Sequence, residues 1–493
     1  MADNSQKTTL AGLIDIAIVG CLFAFALAAP HSIAGAQTAW LAGMTLWVIR
    51  FVFRPRPQLH RTPVDYLLLG FFILTGLAAF LSYEPMVSIG KLRAASLFTI
   101  IYLVVQNVTS LKVVRLLTLT VIVSCFANVL FTIGERAIGR GIKVFGVAES
   151  SALYAAGIRD GDTLLKIDGV PLREPAQLVD ALSKPQPLIA EVRIYRHEWQ
   201  PVFKVMRGQL GSGNSPTEKL GIGNWSRGRD WRASGFYGHY VTYAEVLQLV
   251  FALILGLLVC LPKKRTWGGA LLMAGLLVFV GALLLTVTRA VWLGCLISSA
   301  LILLLTIKRR TMIFIGFLAV PVIIAGLFLL QQKRNVGFLD RSDDSTTWRE
   351  IVWAEGARLL VSNPRHLLVG VGMDSIKSHW REWGMFDGGR IPMGHMHSNF
   401  LQIAVERGLP ALLLWLAFLF VYARTLWHRI RAGTDVPWME RGILLGTLGG
   451  LVGFFISGVV HYNWGDSEVV MVLYFIMGLA LAINRMLPQS QKT

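Results

Sequence analysis

Residues 397–420 read HSNFLQIAVERGLPALLLWLAFLF, and within this stretch a polar loop turns into a long apolar helix. The first eleven residues include a histidine, an asparagine, a glutamine, a glutamate and an arginine, whereas the residues after Pro410 are almost entirely apolar. Polar and ionisable side chains are costly in lipid and usually have a function where they occur beside it. The stretch therefore predicts a membrane protein with a candidate active site where the polar loop meets the bilayer.

The composition of the whole chain supports a location in the membrane. Of its 493 residues, 54% are hydrophobic and 15% are charged, and the mean hydropathy is +0.57. A soluble domain typically carries about 25% charged residues. The net charge of +18 does not indicate nucleic-acid binding, because most charges lie in short clusters between apolar segments. The same positive charge is compatible with membrane lipids and with an anionic, membrane-bound substrate.

We predict an all-α polytopic membrane protein with about twelve transmembrane helices, because apolar segments of spanning length recur along the chain. The predicted spans are roughly 11–29, 33–53, 64–82, 88–107, 112–133, 238–261, 267–287, 290–307, 311–330, 399–422, 441–461 and 467–484. The four cysteines, Cys21, Cys125, Cys260 and Cys295, all fall inside these spans. Their spacing resembles neither a zinc site nor a disulfide framework.

The distribution of basic residues predicts the orientation of these spans. Clusters of arginine and lysine follow the second, sixth, eighth and tenth spans, whereas the short loops 30–32, 82–86 and 462–466 contain neither residue. Positive charge marks the cytoplasmic side of a membrane protein, so both termini are predicted to be cytoplasmic. Two long segments, about 134–237 and about 331–398, then lie outside. In a bacterium this is the periplasmic face of the inner membrane.

The first outer segment contains a small α+β domain. The Asp168-Gly169 pair is a hairpin signal, a short helix is expected at Pro175–Leu182, and strands are expected at Ile142–Val147, Ile189–Tyr195 and Gln200–Val205. The sequence ESSALYAAGIRDGDTLLKIDGVPL at 149–172 resembles a PDZ domain of the bacterial protease-associated type. PDZ domains bind extended peptide ends by strand addition, so the resemblance implies a protein or peptide partner.

The candidate peptide-binding residues in this PDZ-like domain are Gly139, Arg140, Gly141 and Ile142, which could form the loop that holds a peptide carboxylate. A docking or spacer module without a peptide ligand is the alternative. We expect the chemistry of the protein to survive deletion of residues 140–208.

The predictions divide the chain into six parts. They are five transmembrane helices at 1–137, the PDZ-like periplasmic domain at 138–208, a linker at 209–237, transmembrane helices six to nine at 238–330, a large periplasmic catalytic loop at 331–398, and three helices with a cytoplasmic tail at 399–493. The linker is expected because that segment is rich in glycine, serine, asparagine and arginine.

Four polar groups are predicted at the same outer face of the membrane. They are 232–239, 286–292, Arg349 with the residues that follow it, and 394–399. Several arginines and a histidine would converge there. Arginine presents a rigid fork of donors that suits phosphate oxygens. Such a cluster could neutralise a lipid diphosphate leaving group without a metal ion.

Each residue in these groups also has a structural interpretation. An arginine at a helix end commonly reaches the lipid headgroups, although Arg289 lies in an outer loop of a type that otherwise lacks basic residues. Ser398 or Asn399 could cap the helix that follows. The His395-x-His397 pair has no third zinc ligand at a suitable spacing, so no metal site is predicted there. An acidic run, Asp340, Asp343 and Asp344, could bind a divalent cation or be a solvated loop.

The four polar groups together resemble the O-antigen ligase and polymerase family of bacterial membrane glycosyltransferases, and three motifs carry the resemblance. The first is His397-Ser398 followed by Gly408, within GVGMDSIKSHW upstream and NFLQIAVERGLPALLLWL downstream. The second is TVTRAVWLG at 286–294, and the third is RASGFYGHYVTYA at 232–244. The resemblance covers the chain from about residue 230 to its end.

This resemblance implies a GT-C-like, all-helical membrane fold with its site at the periplasmic face. It implies transfer of a glycan from undecaprenyl diphosphate to an acceptor hydroxyl, with inversion and without a metal or cofactor. By the same resemblance, Arg232 and Arg289 would hold the diphosphate, and His397 would be the general base or would orient the acceptor. The remaining candidate substrate-binding residues are His239, Arg349, His395, Ser398 and Asn399.

The acceptor stays open at this point. The leading hypothesis is an O-antigen ligase of lipopolysaccharide biosynthesis, with lipid A-core as the acceptor. A polymerase would use a second lipid-linked glycan, and a protein O-oligosaccharyltransferase would use a serine or threonine. A hypothesis from another class is a non-enzymatic membrane scaffold built around its PDZ-like domain, for which His397 would be replaceable.

Overall fold

The structure is a computed structural model that describes residues 2–196, 199–308, 344–432 and 436–488. The chain divides into two compact units. The first unit comprises Met1–Asn128, Phe236–Leu284 and Thr288–Thr493, and the second comprises Val129–Gly235 with Leu285–Val287.

The first unit is helical. In chain order its helices, some of which continue into the second unit, are α1 (Ala2–Ala28), α2 (Ile33–Arg50), α3 (Asp65–Phe80), α4 (Pro85–Gly90), α5 (Leu92–Ala95), α6 (Thr99–Asn107) and α7 (Leu111–Ile138), then α11 (Tyr240–Cys260), α12 (Trp267–Thr286), α13 (Arg289–Leu304), α14 (Asp344–Val361), α15 (Pro364–Val369), α16 (Ser375–His379), α17 (Phe386–Gly389), α18 (Asn399–Ala432), α19 (Trp438–Ser457) and α20 (Ser467–Met486).

Eight helical segments among the described residues are long and apolar enough to cross a membrane. They are Leu10–Ala28, Pro85–Asn107, Leu111–Ile138, Tyr240–Cys260, Trp267–Thr286, Asn399–Ala432, Trp438–Ser457 and Ser467–Met486. Helices α3 and α13 are apolar but shorter. Helix α2 is not among the eight, and the predicted span at 311–330 lies outside the described residues. The chain therefore has the architecture of a multi-pass membrane protein.

Glycines in α19 allow its backbone to lie against neighbouring helices. A Cβ atom on Gly446 would come within 2.6 Å of Leu253 Cα in α11, and one on Gly453 would come within 2.1 Å of the Gln248 side chain. A Cβ atom on Gly449 would meet Ile302 of α13 at 2.6 Å. Small residues permit this close approach where the hydrophobic effect cannot drive helices together. The glycine series therefore serves packing, as its spacing indicates.

Helix α18 is broken at Gly408, where φ is +80°. A Cβ atom there would lie 2.3 Å from the Leu368 carbonyl oxygen, so only glycine fits. Pro410 has no N–H to donate to the carbonyl of Glu406, four residues earlier. The N–H of Gly372 donates to that carbonyl instead, at 3.0 Å. The break thus fixes the polar first part of α18 against the loop that precedes α16.

The second unit contains a six-stranded antiparallel sheet. Its elements are β1 (Arg140–Val147), α8 (Ala152–Ala155), β2 (Thr163–Ile167), β3 (Val170–Pro171), α9 (Pro175–Leu182), β4 (Ile189–Tyr195), β5 (Val202–Met206), α10 (Pro216–Leu220) and β6 (Ile222–Gly228). The strand order is β5-β4-β2-β1-β6, with β3 beside β2. Its core includes Ile142, Leu164, Leu178 and Val192, all fully buried.

The sheet extends into the segment whose composition led us to expect a linker. Ser215 and Glu218 form a capping box that starts α10, and Gly221 ends the helix in the left-handed conformation. Strand β6 then pairs with β1, with Val144 opposite Trp225. Composition missed this strand because few apolar residues anchor it, chiefly Leu220 and Ile222, which are buried in the core.

Candidate functional site

The loop that carries His397 ends at the start of α18, and its backbone is strained at the histidine. His397 has a φ of +46°, in the left-handed region that residues other than glycine rarely adopt. Such conformations persist only where surrounding contacts enforce them, and they concentrate at functional sites. The side chain is half-buried, so it remains accessible to a small reacting group.

Hydrogen bonds around the loop enforce this conformation. The Trp353 indole N–H donates to the Met396 carbonyl at 2.7 Å, and the Met396 N–H donates to the Gln402 amide oxygen at 2.6 Å. The backbone N–H of His397 donates to Nδ1 of His395 at 3.1 Å. Nδ1 of His395 is therefore an acceptor, and the proton of this neutral imidazole lies on Nε2. The loop is held from both sides, by α14 and by α18.

The imidazole of His397 lies between two aromatic rings. Its centroid is 4.3 Å from that of Trp348, edge to face, and 3.9 Å from that of His395. Burial, together with the electrostatic effect of His395 and Arg349, lowers the pKa of His397 to about 2. Burial, together with Lys377, lowers the pKa of His395 to about 4. Both rings are therefore neutral at physiological pH and able to accept a proton or a hydrogen bond.

Two other predicted residues belong to the same polar region. Arg349 lies on α14 and His239 immediately precedes α11, and the charge of each contributes to the lowered pKa of His397. His239 is exposed, with Nδ1 3.3 Å from the Thr242 hydroxyl. The structure thus brings together residues from three separate stretches of the chain.

Arg289 occupies the first position of α13 and is half-buried. The free N–H groups and the macrodipole of a helix give its N-terminus a positive potential. An arginine at this position adds its own charge and its fork of donors to that of the helix end, a combination suited to an anion.

Ser398 and Asn399 are buried, and Asn399 is fully inaccessible. The Asn399 side chain donates to Asn463 Oδ1 at 2.6 Å and accepts from the Trp464 N–H at 3.0 Å. Its backbone N–H donates to the Gly458 carbonyl at 2.8 Å. Asn399 therefore holds the loop between α19 and α20 against the His397 loop, and its amide group faces protein rather than a substrate.

An ion-paired cluster near these histidines contains Lys91, a cation that the sequence places inside an apolar segment, together with Asp374 and Lys377, which the sequence did not single out. Lys91 Nζ lies 2.6 Å from Asp374 Oδ2, and Lys377 Nζ lies 3.1 Å from Asp374 Oδ1. Burial alone would raise the pKa of Asp374, but hydrogen bonds from the two lysines lower it. Lys91 lies in the predicted fourth span, which breaks into α4, α5, a 3-10 turn and α6. The charge inside an apolar segment indicates that Lys91 needs a partner, but only the fold identifies that partner as Asp374.

A buried polar pair also joins distant segments. His461 Nδ1 lies 2.9 Å from Glu245 Oε1, and both side chains are almost inaccessible. Nearby, the Thr242 hydroxyl donates to Asp466 at 2.8 Å. A glutamate in the second turn of an apolar helix is costly without a partner, so Glu245 was detectable from sequence. Its partner could not be identified without the fold.

Arg232 belongs to the second unit and is half-buried there. On its N-terminal side, Trp231 is almost fully buried. On its C-terminal side, the Ala233 N–H donates to the Leu285 carbonyl at 3.0 Å. Arg232 is therefore flanked on both sides by fixed backbone.

Of the four candidate peptide-binding residues, Gly139 immediately precedes β1 and the other three begin this strand, which is paired on both of its edges. On one edge Ile142 is opposite Leu164 of β2. On the other, Arg140 is opposite Gly228 of β6. Gly139 and Gly141 have positive φ values, and a Cβ atom on Gly141 would meet the Leu164 carbonyl oxygen at 2.5 Å. The chain itself thus occupies both pairing edges of this segment.

Within the described residues, no group of three or more histidine, cysteine, aspartate or glutamate side chains is arranged to hold a metal ion. Of the acidic run predicted as a possible cation site, Asp340 and Asp343 lie outside the described residues.

The polar region around His397 lies largely within a segment that a known family shares. Residues 274–416 match the O-Antigen ligase family model, Wzy_C. The match supports a relationship to the O-antigen ligase/polymerase family. It also supports O-antigen ligase-like membrane glycosyltransferase activity in general. The matched segment contains Arg289, Arg349, His397 and Gly408, whereas Arg232 and the sheet of the second unit precede it. The family implies a lipid-linked glycan donor and a lipid acceptor. A comparison with curated proteins gave no significant match.

Proposed function

We propose that this protein transfers a glycan from undecaprenyl diphosphate to the hydroxyl of lipid A-core, as an O-antigen ligase of lipopolysaccharide biosynthesis. The observation that carries the proposal is the His397 loop, a neutral and strained histidine beside Arg349 in the segment that matches the O-Antigen ligase family. A scaffold protein would have no need to maintain an unfavourable backbone conformation at a half-buried imidazole.

In the proposed reaction the acceptor hydroxyl attacks the anomeric carbon of the donor sugar. A bond forms between the acceptor oxygen and that carbon, and the bond between the carbon and the diphosphate oxygen breaks. The bonding electron pair leaves with undecaprenyl diphosphate, and the imidazole of His397 accepts the hydroxyl proton. A single displacement of this kind inverts the configuration of the anomeric carbon.

The lowered pKa of His397 keeps the imidazole unprotonated, but it also makes the imidazole a weak base. Part of the lowering comes from positive charge, that of Arg349 included. A bound diphosphate would offset this charge, so donor binding is expected to raise the pKa of His397. The base would then become effective only when the donor is in place, which protects the donor from proton transfers that do not lead to product.

Arginines supply the electrostatic part of the mechanism. Arg289, at the N-terminus of α13, is proposed to bind the diphosphate, and Arg232 is proposed to add a second fork of donors to it. These groups stabilise the charge that develops on the leaving diphosphate. Arg349 is proposed to contact the donor or acceptor, and His239 and His395 to contribute to the polar surface on which the substrates bind.

We further propose that about twelve helices span the inner membrane, with both termini in the cytoplasm and the site at the periplasmic face. Residues 138–208 are proposed to form a PDZ-like domain, which the antiparallel sheet and helix α9 support. A peptide that added to the outer edge of β1 would have to displace β6, so we do not assign this domain a peptide ligand.

The test is transfer by the purified, reconstituted protein, with undecaprenyl-diphosphate glycan and lipid A-core and without added metal. Wild type is compared with His397→Ala and with Asn214→Ala, an exposed control in the second unit. We expect glycan on lipid A-core with wild type and with the control, and none with His397→Ala, while all three proteins keep the same melting temperature within a few degrees.

Other products would redirect the assignment. Longer lipid-linked chains in place of glycosylated lipid A-core would identify a polymerase, and glycan on an added protein acceptor would identify a protein O-oligosaccharyltransferase. Transfer at the wild-type rate by His397→Ala would refute the role of His397 as the base. Absence of every product from a folded protein would favour the non-enzymatic scaffold.

A further inference from the structure

We infer that the inserted sheet of the second unit is a positioning platform for Arg232, and that Trp231 and Arg140 are the positioning residues. The inference rests on the proposed function, in which Arg232 binds the donor diphosphate. It reverses the expectation from sequence that deletion of residues 140–208 spares the chemistry.

The chain reaches Arg232 directly from the sheet. Strand β6 pairs with β1 from Ile222 opposite Val147 to Gly228 opposite Arg140, with a shift in register between Arg140 and Lys143. Only three residues separate Gly228 from Arg232. The position of Arg232 therefore depends on the pairing of β6 with β1, a strand that begins within the segment 138–208.

A clamp holds the last of these three residues. The guanidinium of Arg140 lies over the Trp231 ring, 4.2 Å from its centroid, and that of Arg136 lies 5.4 Å from it. Arg136 also donates to the Trp231 carbonyl oxygen. One residue earlier, Asp230 pairs with Lys143 of β1 at 2.6 Å. Cation–π contacts of this kind gain strength where the ring is desolvated, as Trp231 is.

The residue after Arg232 is also held in place. The N–H of Ala233 donates to the carbonyl of Leu285, and Arg289 comes four residues after Leu285 in the chain. The segment Leu285–Val287 belongs to the second unit, although it precedes α13. Trp231 on one side and Ala233 on the other leave Arg232 little backbone freedom.

These contacts explain why the predicted peptide-binding segment is occupied by the chain itself. Arg140, a candidate for holding a peptide carboxylate, lies against Trp231 and 3.8 Å from Glu135. A Cβ atom on Gly228 would come within 2.6 Å of Thr163 and 2.9 Å of the Arg140 carbonyl, so β6 fits only as a close neighbour. The strand-addition edge of the domain serves to hold an active-site arginine.

The experiment compares four variants of the full-length, reconstituted protein with wild type. They are Trp231→Ala, Trp231→Phe, Arg140→Ala and the control Arg193→Ala, which removes an exposed arginine from the outer face of β4. One readout is hydrogen exchange of peptides that cover 229–236, and the other is the KM for the undecaprenyl-diphosphate donor together with kcat. Trp231→Phe keeps an aromatic ring and serves as the conservative variant should Trp231→Ala fail to fold.

We expect Trp231→Ala and Arg140→Ala to speed exchange at 229–236 and to raise the donor KM about tenfold with little change in kcat. Trp231→Phe should restore most of both values, and Arg193→Ala should match wild type. Wild-type exchange and KM in Trp231→Ala would overturn the inference, and so would faster exchange with an unchanged KM. If wild type transfers no glycan, the proposed function fails, while the exchange result still decides whether the sheet holds this segment.

Discussion

Replacement of Asn399 by alanine tests whether this residue serves the structure of the site rather than substrate contact. The side chain makes two buried hydrogen bonds, to Asn463 and to the Trp464 N–H. Alanine would remove both bonds. The Asn463 Oδ1 acceptor and the Trp464 N–H donor would then be buried without these partners, and each such group costs about 1–3 kcal/mol of stability. The Nδ2 group of Asn463 keeps its bonds to Phe454 and Ser457, which hold the side chain in place but do not satisfy its Oδ1. We therefore expect a total loss of about 2–6 kcal/mol.

Two variants separate the two bonds. Asn399→Asp keeps the oxygen that accepts from the Trp464 N–H. It replaces the amide nitrogen that donates to Asn463 with a carboxylate oxygen, so two acceptors then face each other. It should be destabilised at neutral pH and partly recover when the new carboxyl group is protonated in mild acid. Asn399→Ala should show no such recovery. Exposed Asn214→Ala provides the matched control and should melt as wild type does.

The assay is the melting temperature in one detergent, followed by transfer activity below that temperature. For a unit of this size, the unfolding entropy of about 2.1 cal/mol/K per residue makes each kcal/mol worth about 1 °C, so the loss corresponds to a fall of roughly 2–7 °C. Activity should fall with it, because the loop between α19 and α20 would no longer be held against the His397 loop. An Asn399→Ala protein that melts as wild type but loses donor or acceptor affinity would refute this reasoning and return Asn399 to the substrate-binding residues.

Three further predictions address the pH dependence, the diphosphate and the helix break. Because the folded protein keeps His397 and His395 neutral while the unfolded chain binds protons below about pH 6.5, the melting temperature should fall between about pH 6.5 and about pH 4. The fall should be smaller in His397→Gln, and an equal fall in both proteins would contradict the lowered pKa. Arg289→Lys should raise the donor KM at least about tenfold, since lysine cannot form the bidentate fork; wild-type affinity would exclude that contact. Gly408→Ala should abolish folding or activity because its Cβ atom meets the Leu368 carbonyl, whereas Gly388→Ala, in open space at the irregular short helix α17, tests the cost of positive φ alone.

Sequence determined the membrane character of this protein and the location of its most informative loop. Apolar segments of spanning length become helices because a chain in lipid must satisfy its own backbone hydrogen bonds. The break of α18 was also encoded locally, in Gly408 and Pro410. The polar stretch that begins at His397 could be recognised as a candidate functional site because lipid penalises such residues unless they are needed.

Tertiary structure alone decided which residues meet around that loop. The partners Lys91 and Asp374, and likewise Glu245 and His461, are far apart in the chain, and no local pattern relates one partner to the other. Asn399 became a structural residue only when the loop it holds was known. Strand β6 was hidden for a related reason: its stability comes from pairing with β1 and from the Trp231 clamp, both of them contacts between distant segments, and its own composition resembles a linker. Local sequence determines which segments become helices and strands. The partners of each side chain depend on the fold of the whole unit, because only the fold brings distant segments together.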